Sequence, residues 1–228
     1  MAGRRVLVQF IRRAARWLIR CGAALALVGA AMGAAAALAA PPPAARLTPQ
    51  DQQDLSRVQD YLNHITSLQS RFEQVAGDGQ TATGTIYLRR PGDMRIVYDP
   101  PAAILIVASN GQIHYYDKTL KQSSQTATED TPAWFLLRSD IHLNGDVTVT
   151  RFARDPGTLR ITLVQTKAPD QGEVTLVLSE QPLQLRQWTV VDAQRKTVTV
   201  TLDNPHYGGA LNPQLFYWSE PQQPLFGK

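Results

Sequence analysis

Residues 84–117, GTIYLRRPGDMRIVYDPPAAILIVASNGQIHYYD, form the stretch that decides the fold. Turn signals divide it into short segments of strand character, and Asn110-Gly111 is a strong short-range hairpin signal. We therefore predict an antiparallel meander. Its four strands are expected at residues 82–90, 93–98, 103–108 and 112–117.

One face of this meander is apolar. Side chains alternate between the two faces of a strand, so residues two apart share a face. The same alternation turns Arg90 inward and leaves Arg89 on the wet face, and arginine is rarely buried without partners. An inward guanidinium needs hydrogen-bond acceptors, and the free carbonyls at the C-terminus of a helix are natural ones. The aliphatic side chains expected to face the core and any cavity are Ile86, Leu88, Met94 and Ile96.

Strand patterns continue through most of the remaining chain and bring the total to about eleven. The others are expected at 69–76, 120–126, 147–153, 158–166, 173–179, 183–191 and 196–202, with a last short strand at 215–218. Most of them alternate apolar and polar residues, which is typical of an antiparallel sheet with one wet face. A sheet of this size tends to curl and enclose space. A sheet packed solidly against a helix is equally compatible with the composition.

Two helices interrupt the strands. Thr48-Pro49 is a helix start, because Thr is a good cap and Pro suits the first turn. The stripe that follows predicts one amphipathic helix, and its members are Leu55, Val58, Leu62, Ile65 and Leu68. A second helix is predicted to begin at Thr131-Pro132. Four consecutive apolar residues give it more than one apolar face, so part of it should lie under other elements or over a cavity; they are Trp134, Phe135, Leu136 and Leu137.

The first 40 residues have the pattern of a secretory signal peptide: a basic region, an apolar run and small residues at Ala37-Leu38-Ala39. We predict cleavage near residue 39 or 40. An uncleaved membrane anchor is the alternative, since the run is about long enough to span a bilayer, although it is rich in alanine. Twin-arginine export through Arg12-Arg13 is a weaker interpretation, and Arg20 excludes a lipoprotein signal at Cys21.

Removal of residues 1–40 changes the charge of the chain. Six of the 23 basic residues and none of the 19 acidic ones lie there, which leaves 17 against 19 and a net charge of −2. This argues against nucleic acid as a partner. The only cysteine leaves too, so about 188 residues must be stable without a disulfide. We predict a linker at 41–47 and one domain at 48–228.

The stretch 84–117 also resembles the periplasmic outer-membrane lipoprotein carrier family (LolA). The shared pattern is G-x-I/L-x-L-x-R-P-G-x-x-R-x-x-Y-x-x-P, followed by an apolar strand, Asn-Gly and two aromatics before Asp. Met94 and Ile96 depart from it, because the family usually has aromatic residues there. The matching positions are Gly84, Leu88, Arg90, Pro91, Gly92, Arg95, Tyr98, Pro101, Asn110, Gly111, Tyr115, Tyr116 and Asp117.

The resemblance implies a mainly β (α+β) fold, in which an unclosed antiparallel β-barrel of about eleven strands is covered by a helical lid. It implies a monomeric periplasmic chaperone that takes acylated lipoproteins from an inner-membrane ABC transporter. The cargo would pass to an outer-membrane receptor lipoprotein or to the outer membrane itself, and no cofactor would be used. Arg90 would be the latch that holds the lid on the empty carrier. A lipid- or protein-binding sensor of the same fold that does not shuttle is the alternative.

The residues give little support to an enzyme. The four histidines have no metal-ligand spacing, and neither a nucleophile elbow nor a phosphate-binding glycine loop occurs. His114 is expected on the exposed face of its strand. We therefore predict a protein without a catalytic or metal site.

Overall fold

The computed structural model describes residues 43–131 and 133–219. The predicted signal peptide and its cleavage site lie outside these residues. The described helices are α1 (Pro49–His64) and α2 (Ala133–Leu137), with 3-10 helices at Thr128–Asp130, Pro169–Gln171 and Pro213–Phe216. The strands are β1 (Ser67–Ala76), β2 (Thr81–Arg89), β3 (Asp93–Tyr98), β4 (Ile104–Ser109), β5 (Gln112–Asp117), β6 (Gln122–Ala127), β7 (Val147–Asp155), β8 (Thr158–Gln165), β9 (Gly172–Glu180), β10 (Leu183–Asp192) and β11 (Thr197–Tyr207).

All eleven strands belong to one antiparallel sheet with the order β6-β5-β4-β3-β2-β1-β11-β10-β9-β8-β7. The two edge strands, β6 and β7, are not paired with each other, so the barrel is unclosed. Only one link in this order joins strands that are distant in the chain, the pairing of β1 with β11. The predicted fold class is confirmed.

Three β-bulges help to curl the sheet. Two lie between Val149 and Arg151 in β7 and between Leu185 and Gln187 in β10, and the third lies in β11, between Asp203 and His206, opposite Gln69 and Arg71 of β1. A bulge bends its strand and increases the local twist. The apolar concave face that results forms one core cluster together with side chains of α1 and α2.

Gly84 shows why the β1–β2 pair needs a glycine at that position. It lies opposite Phe72 of β1. A Cβ atom at Gly84 would come within 2.4 Å of the Val97 carbonyl oxygen and 2.7 Å of the Phe72 ring. That ring packs edge-on against Tyr98 at 5.3 Å between centroids. The glycine therefore makes room for an aromatic pair that fills one part of the core.

Helix α1 begins as predicted but ends earlier. Thr48 and Asp51 form a capping box at its start, with the Asp51 N–H donating to the Thr48 hydroxyl at 3.2 Å. Ile65 has extended backbone and ends the helix. The prediction that Leu68 belongs to the helical stripe is therefore wrong: this residue lies in β1, where alternation still turns its side chain into the core.

The C-terminal stretch also differs from the prediction. Residues 213–216 form a 3-10 helix instead of a strand, because the Asn212 side chain accepts from the Gln214 N–H at 2.9 Å and Pro213 favours a helical start. This helix lies beside β3 and β4. It buries Phe216 there, so the outer face of this part of the sheet is partly covered.

The segment that precedes α1 lies against the domain. The Ala45 N–H donates to the Val149 carbonyl of edge strand β7 at 2.8 Å. Ala45 and Leu47 also pack against the core cluster. Residues 45–47, which we predicted as part of a linker, thus contribute to the folded unit.

Candidate functional site

A small apolar cavity lies between the concave face of the sheet and the two α-helices. Its volume is about 20 Å³, which is room for about one water molecule. An acyl chain is far larger, so it could enter only if the covering helices moved. The cavity is lined by Leu62, Ile65, Leu68, Ile86, Leu88, Arg90, Leu136, Ile141, Leu185 and Trp188.

The predicted cavity and lid residues divide into two groups. Ile86, Leu88, Arg90 and Leu136 line the cavity. The other five are not among its lining residues: Met94, Phe135 and Leu137 are buried in the core, and Ile96 and Trp134 are half-buried and pack against it. Their position follows from the curvature of the sheet, which centres the cavity on β1, β2 and β10.

The sequence reasoning did not name several of the lining residues as cavity residues. Leu185 and Trp188 come from β10, which is far from β2 in the sequence but faces the same space in the curled sheet. Ile141 follows the lid helix in an irregular segment and is only 1% exposed. Strand alternation could have identified an apolar face in β10, but not its distance from β2.

Arg90 joins the end of β2 to the helices above the cavity. Its Nε donates to the Ile65 carbonyl at 2.8 Å, and its Nη2 donates to the Leu62 carbonyl. Both acceptors lie at the C-terminal end of α1, where carbonyls carry partial negative charge. The Leu62 carbonyl also accepts from the Ile65 N–H at 3.3 Å. A longer contact of 3.4 Å runs from Nη1 to the Arg138 carbonyl just after α2. Sequence alternation had given the inward direction of this side chain.

The pKa of Arg90 is lowered by burial, and the charge of Asp140 partly opposes that change. Arginine nevertheless stays protonated at any physiological pH. The guanidinium is therefore a permanent cation held against helix carbonyls at the rim of an apolar space. It loses these acceptors if the helices move away from β2.

Helix α2 is held at its C-terminal end. The Leu137 carbonyl accepts from the Gly92 N–H in the β2–β3 turn at 2.9 Å. Arg138 donates to the Asp146 carboxylate at 2.9 Å and lies 4.9 Å from the centre of the Trp134 ring. These contacts place Leu136 over the cavity.

The N-terminal half of α1 is attached to the other side of the barrel. The Asp54 carboxylate is buried and forms ion pairs with Arg57 of α1 and Arg154 of β7. Further along the helix, the Tyr61 hydroxyl accepts from the Leu185 N–H of β10 at 3.0 Å. Burial raises the pKa of Tyr61, so this hydroxyl stays neutral. These attachments join α1 to β7 and β10, whereas Arg90 joins its C-terminal end to β2.

Two residues on the outer face are less exposed than predicted. Arg89 pairs with Asp93 at 2.5 Å and lies 4.8 Å from the Phe216 ring centre. His114 stacks on Trp218 with 4.7 Å between ring centroids. Both are covered by the C-terminal segment, which the sequence patterns had not placed there.

Within residues 43–131 and 133–219, no group of three or more potential metal ligands is found. None of the helices in these ranges combines the length and the apolar character that a membrane span requires.

The fold and the site together define a class of protein: a half-open barrel in which hydrogen-bonded helices cover an apolar interior. Comparison with known families identifies the group within this class. The family model "Outer membrane lipoprotein carrier protein LolA" matches residues 63–219, and the chain belongs to this family.

Two relatives with similar sequences agree with this assignment. An outer-membrane lipoprotein carrier protein of Methylococcus capsulatus is 30% identical, over 78% of this chain and 86% of the relative. One of Chromohalobacter salexigens is 26% identical, over 92% and 95%. Among solved structures, a LolA superfamily protein of Nitrosomonas europaea aligns with a TM-score of 0.42 and 7% identity, over 72% of this chain and 97% of that one.

Proposed function

We propose that this chain is a periplasmic chaperone that carries acylated lipoproteins from the inner to the outer membrane. Residues 1–40 would be removed on export, and residues 43–219 would then form most of a monomeric carrier. The observation that supports this most directly is the hydrogen bonding of Arg90 to the helix carbonyls above the cavity. The proposal extends the carrier role, for which the family and its relatives are named, to this chain.

The physical requirement for such a carrier is severe. Each methylene removed from water contributes about 0.8 kcal/mol, so a sixteen-carbon chain exposed to water costs on the order of 12 kcal/mol. A carrier must shelter most of this surface and still release the chain at its destination. A cavity that accommodates the cargo only when its helical cover is displaced meets both demands.

The cover would be displaced in a defined way. Cargo that enters between the sheet and the helices would separate Arg90 from the Leu62 and Ile65 carbonyls. The free energy of these hydrogen bonds would then oppose loading and favour release. Leu136, Ile86 and Leu88 would supply part of the apolar surface that meets the acyl chains.

The proposed partners follow from this route. An inner-membrane ATP-driven lipoprotein-releasing transporter would supply cargo, because extracting acyl chains from a bilayer requires an input of free energy. An outer-membrane receptor lipoprotein or the membrane itself would receive it. No step in this cycle requires a cofactor.

The test is mass spectrometry of the protein purified from the periplasm, followed by transfer of what it has bound. We expect acylated polypeptides to co-purify and to pass to outer-membrane vesicles. A sensor that does not shuttle would hold a lipid or protein ligand without passing it on. Recovery of the chain free of any acylated polypeptide under conditions of active lipoprotein synthesis would refute the carrier proposal.

A further inference from the structure

The side chain of Asn63 forms a two-sided link between helix α1 and the segment that follows α2. Its Nδ2 donates to the Ile141 carbonyl at 2.9 Å, and its Oδ1 accepts from the Ile141 N–H at 2.8 Å. An amide side chain that pairs both backbone groups of one residue imitates a short piece of sheet pairing. The pair is half-buried at Asn63 and almost fully buried at Ile141.

A second link lies one turn earlier on α1. The Gln59 Oε1 accepts from the Leu143 N–H at 3.0 Å. Residues 59 and 63 are four apart, so they lie on the same face of the helix. Ile141 and Leu143 are both buried and belong to the core cluster. The irregular segment 138–143 is therefore attached to α1 through side chains of a single helix face.

Arg90 contacts both parts that these links join. It donates to the Leu62 and Ile65 carbonyls of α1, and it has the longer contact with the Arg138 carbonyl. Asn63 stands between the two α1 acceptors in the chain. As long as segment 138–143 stays attached to α1, moving either of them away from the sheet breaks all the hydrogen bonds of the Arg90 side chain at the same time.

We propose that Asn63 is a positioning residue that makes α1 and segment 138–143 move as one cover, with its opening edge at the β2–β3 turn. The attachments of Asp54 and Tyr61 hold α1 on β7 and β10, strands other than β2, and would serve as its hinge. This inference rests on the proposed function for its purpose, but the coupling itself is a property of the empty protein.

The coupling predicts a specific kinetic effect. Without Asn63, segment 138–143 keeps only the Gln59 link to α1. It can then lift more easily while the bonds from Arg90 to α1 stay intact. An apolar probe should then enter and leave faster, with little change in its Kd. At about 0.7 kcal/mol for each of the two Asn63 bonds, within the range of about 0.5–1.5 kcal/mol for a net hydrogen bond, their loss corresponds to an acceleration of about tenfold.

The experiment measures association and dissociation of a dansyl-labelled long-chain fatty acid by stopped flow. Asn63→Leu is expected to raise both rates by about tenfold, and Gln59→Leu should raise them less because it removes one bond. Val58→Ala is the matched control, since Val58 is fully buried on the same helix and does not line the cavity. It should lower stability without accelerating either rate. Equal rates in Asn63→Leu and Val58→Ala would overturn the proposal.

Asn63→Asp provides a rescue that simple loss of structure would not show. Its carboxylate repels the Ile141 carbonyl at neutral pH, whereas the protonated acid can donate to that carbonyl and accept from the Ile141 N–H. The ratio of the Asn63→Asp probe rates to the wild-type probe rates should return towards one as the pH falls below the pKa of the introduced carboxyl group. The nearby ionisable groups, His64, Arg90, Asp140 and His142, are the same in both proteins. If the ratio of the Asn63→Asp rates to the wild-type rates does not decrease as the pH is lowered, the two-sided link is contradicted.

Amide hydrogen exchange separates this inference from the carrier proposal. In the empty wild-type protein, the Leu143 N–H should share one opening free energy with the last turn of α1. In Asn63→Leu it should exchange about tenfold faster while α1 is unchanged. Independent opening of Leu143 in the wild type would refute the coupling even if cargo is carried. Coupled opening together with no transfer of acylated polypeptide would refute only the carrier proposal.

Discussion

Replacement of Arg90 by leucine is expected to give a carrier that takes up cargo and retains it. The wild-type guanidinium holds the empty protein closed through the Leu62 and Ile65 carbonyls. Leucine cannot donate to these carbonyls, so the closed state loses two of its bonds at the rim of the cavity, while the backbone bond from Gly92 to the Leu137 carbonyl remains. In the proposed cycle the loaded state would lose little, because cargo would already have separated the helices from β2. Release should therefore slow.

The size of the effect follows from the two hydrogen bonds that Arg90 donates to the Leu62 and Ile65 carbonyls. A hydrogen bond to a charged group contributes about 1.5–3 kcal/mol. The contact of 3.4 Å with the Arg138 carbonyl is too long to add much. Because Arg90 is only half-buried and solvent screens it, we take the lower end for both bonds. The sum is ~3 kcal/mol, or about a hundredfold tighter retention of cargo.

The assay loads purified protein with lipoprotein and follows its transfer to outer-membrane vesicles. Arg160→Leu is the control, because it makes the same change at an exposed strand position where the guanidinium pairs only with Asp155, at 2.8 Å. Arg90→Lys should transfer at an intermediate rate, since it keeps the charge but not the planar donor fork. Arg89→Leu is a poorer control than the sequence suggested, because Arg89 lies against Phe216.

Two results would refute the reasoning. If Arg90→Leu transferred cargo as fast as Arg160→Leu, the Arg90 bonds would not limit release. If Arg90→Leu could not be loaded although its unfolding midpoint in urea was unchanged, Arg90 would contribute to uptake rather than to closure.

Three further predictions concern the lid, the sheet and export. Leu136→Ala should weaken binding of a fluorescent fatty acid with little loss of stability, because this half-buried side chain lines the cavity. Phe135→Ala should instead lower the free energy of unfolding in urea by about 3–5 kcal/mol, because the ring is buried in the core. If Phe135→Ala weakened binding and Leu136→Ala lowered stability, Phe135 would be the cavity residue and Leu136 the core residue. Gly84→Ala should destabilise by about 1–3 kcal/mol through overpacking, whereas Gly77→Ala, whose nearest contact would be 3.5 Å, should be nearly neutral. N-terminal sequencing of the periplasmic fraction should find a start within residues 39–44, and an intact N-terminus on a membrane-bound form would contradict export with cleavage.

The sheet was predictable because its signals are local. Alternation of apolar and polar residues, together with turn signals such as Asn110-Gly111, predicted the boundaries of ten strands within two residues, whereas β11 extends five residues beyond its predicted end. The helix start at Thr48-Pro49 was equally clear, since capping depends on residues within one turn. Its end was not, because Leu68 continues the apolar spacing while the backbone has already become extended.

The composition of the site was less predictable because it depends on curvature. The bulges that curl the sheet bring β10 opposite the helices, and no short-range signal in the sequence gives the resulting distances. The prediction from the meander therefore found Ile86, Leu88 and Arg90 but included Met94 and Ile96, which lie on the same face farther from the cavity. The amide links of Asn63 and Gln59 join residues 78 and 84 positions apart, beyond the range of periodicity arguments.

The small volume of the cavity has a consequence for the direction of transport. A permanently open apolar pocket would expose its walls to water in the empty state, which costs free energy. Loading would remove this free-energy cost, and release of the cargo would restore it. Here the empty protein already packs its apolar walls against each other, leaving room for about one water molecule. Loading therefore replaces contacts between the cover and the sheet by contacts with cargo. The free energy gained on loading is only the difference between these two sets of contacts. In the proposed cycle the Arg90 bonds would reduce that difference further, and this would help the carrier to give up its cargo to the membrane that receives it.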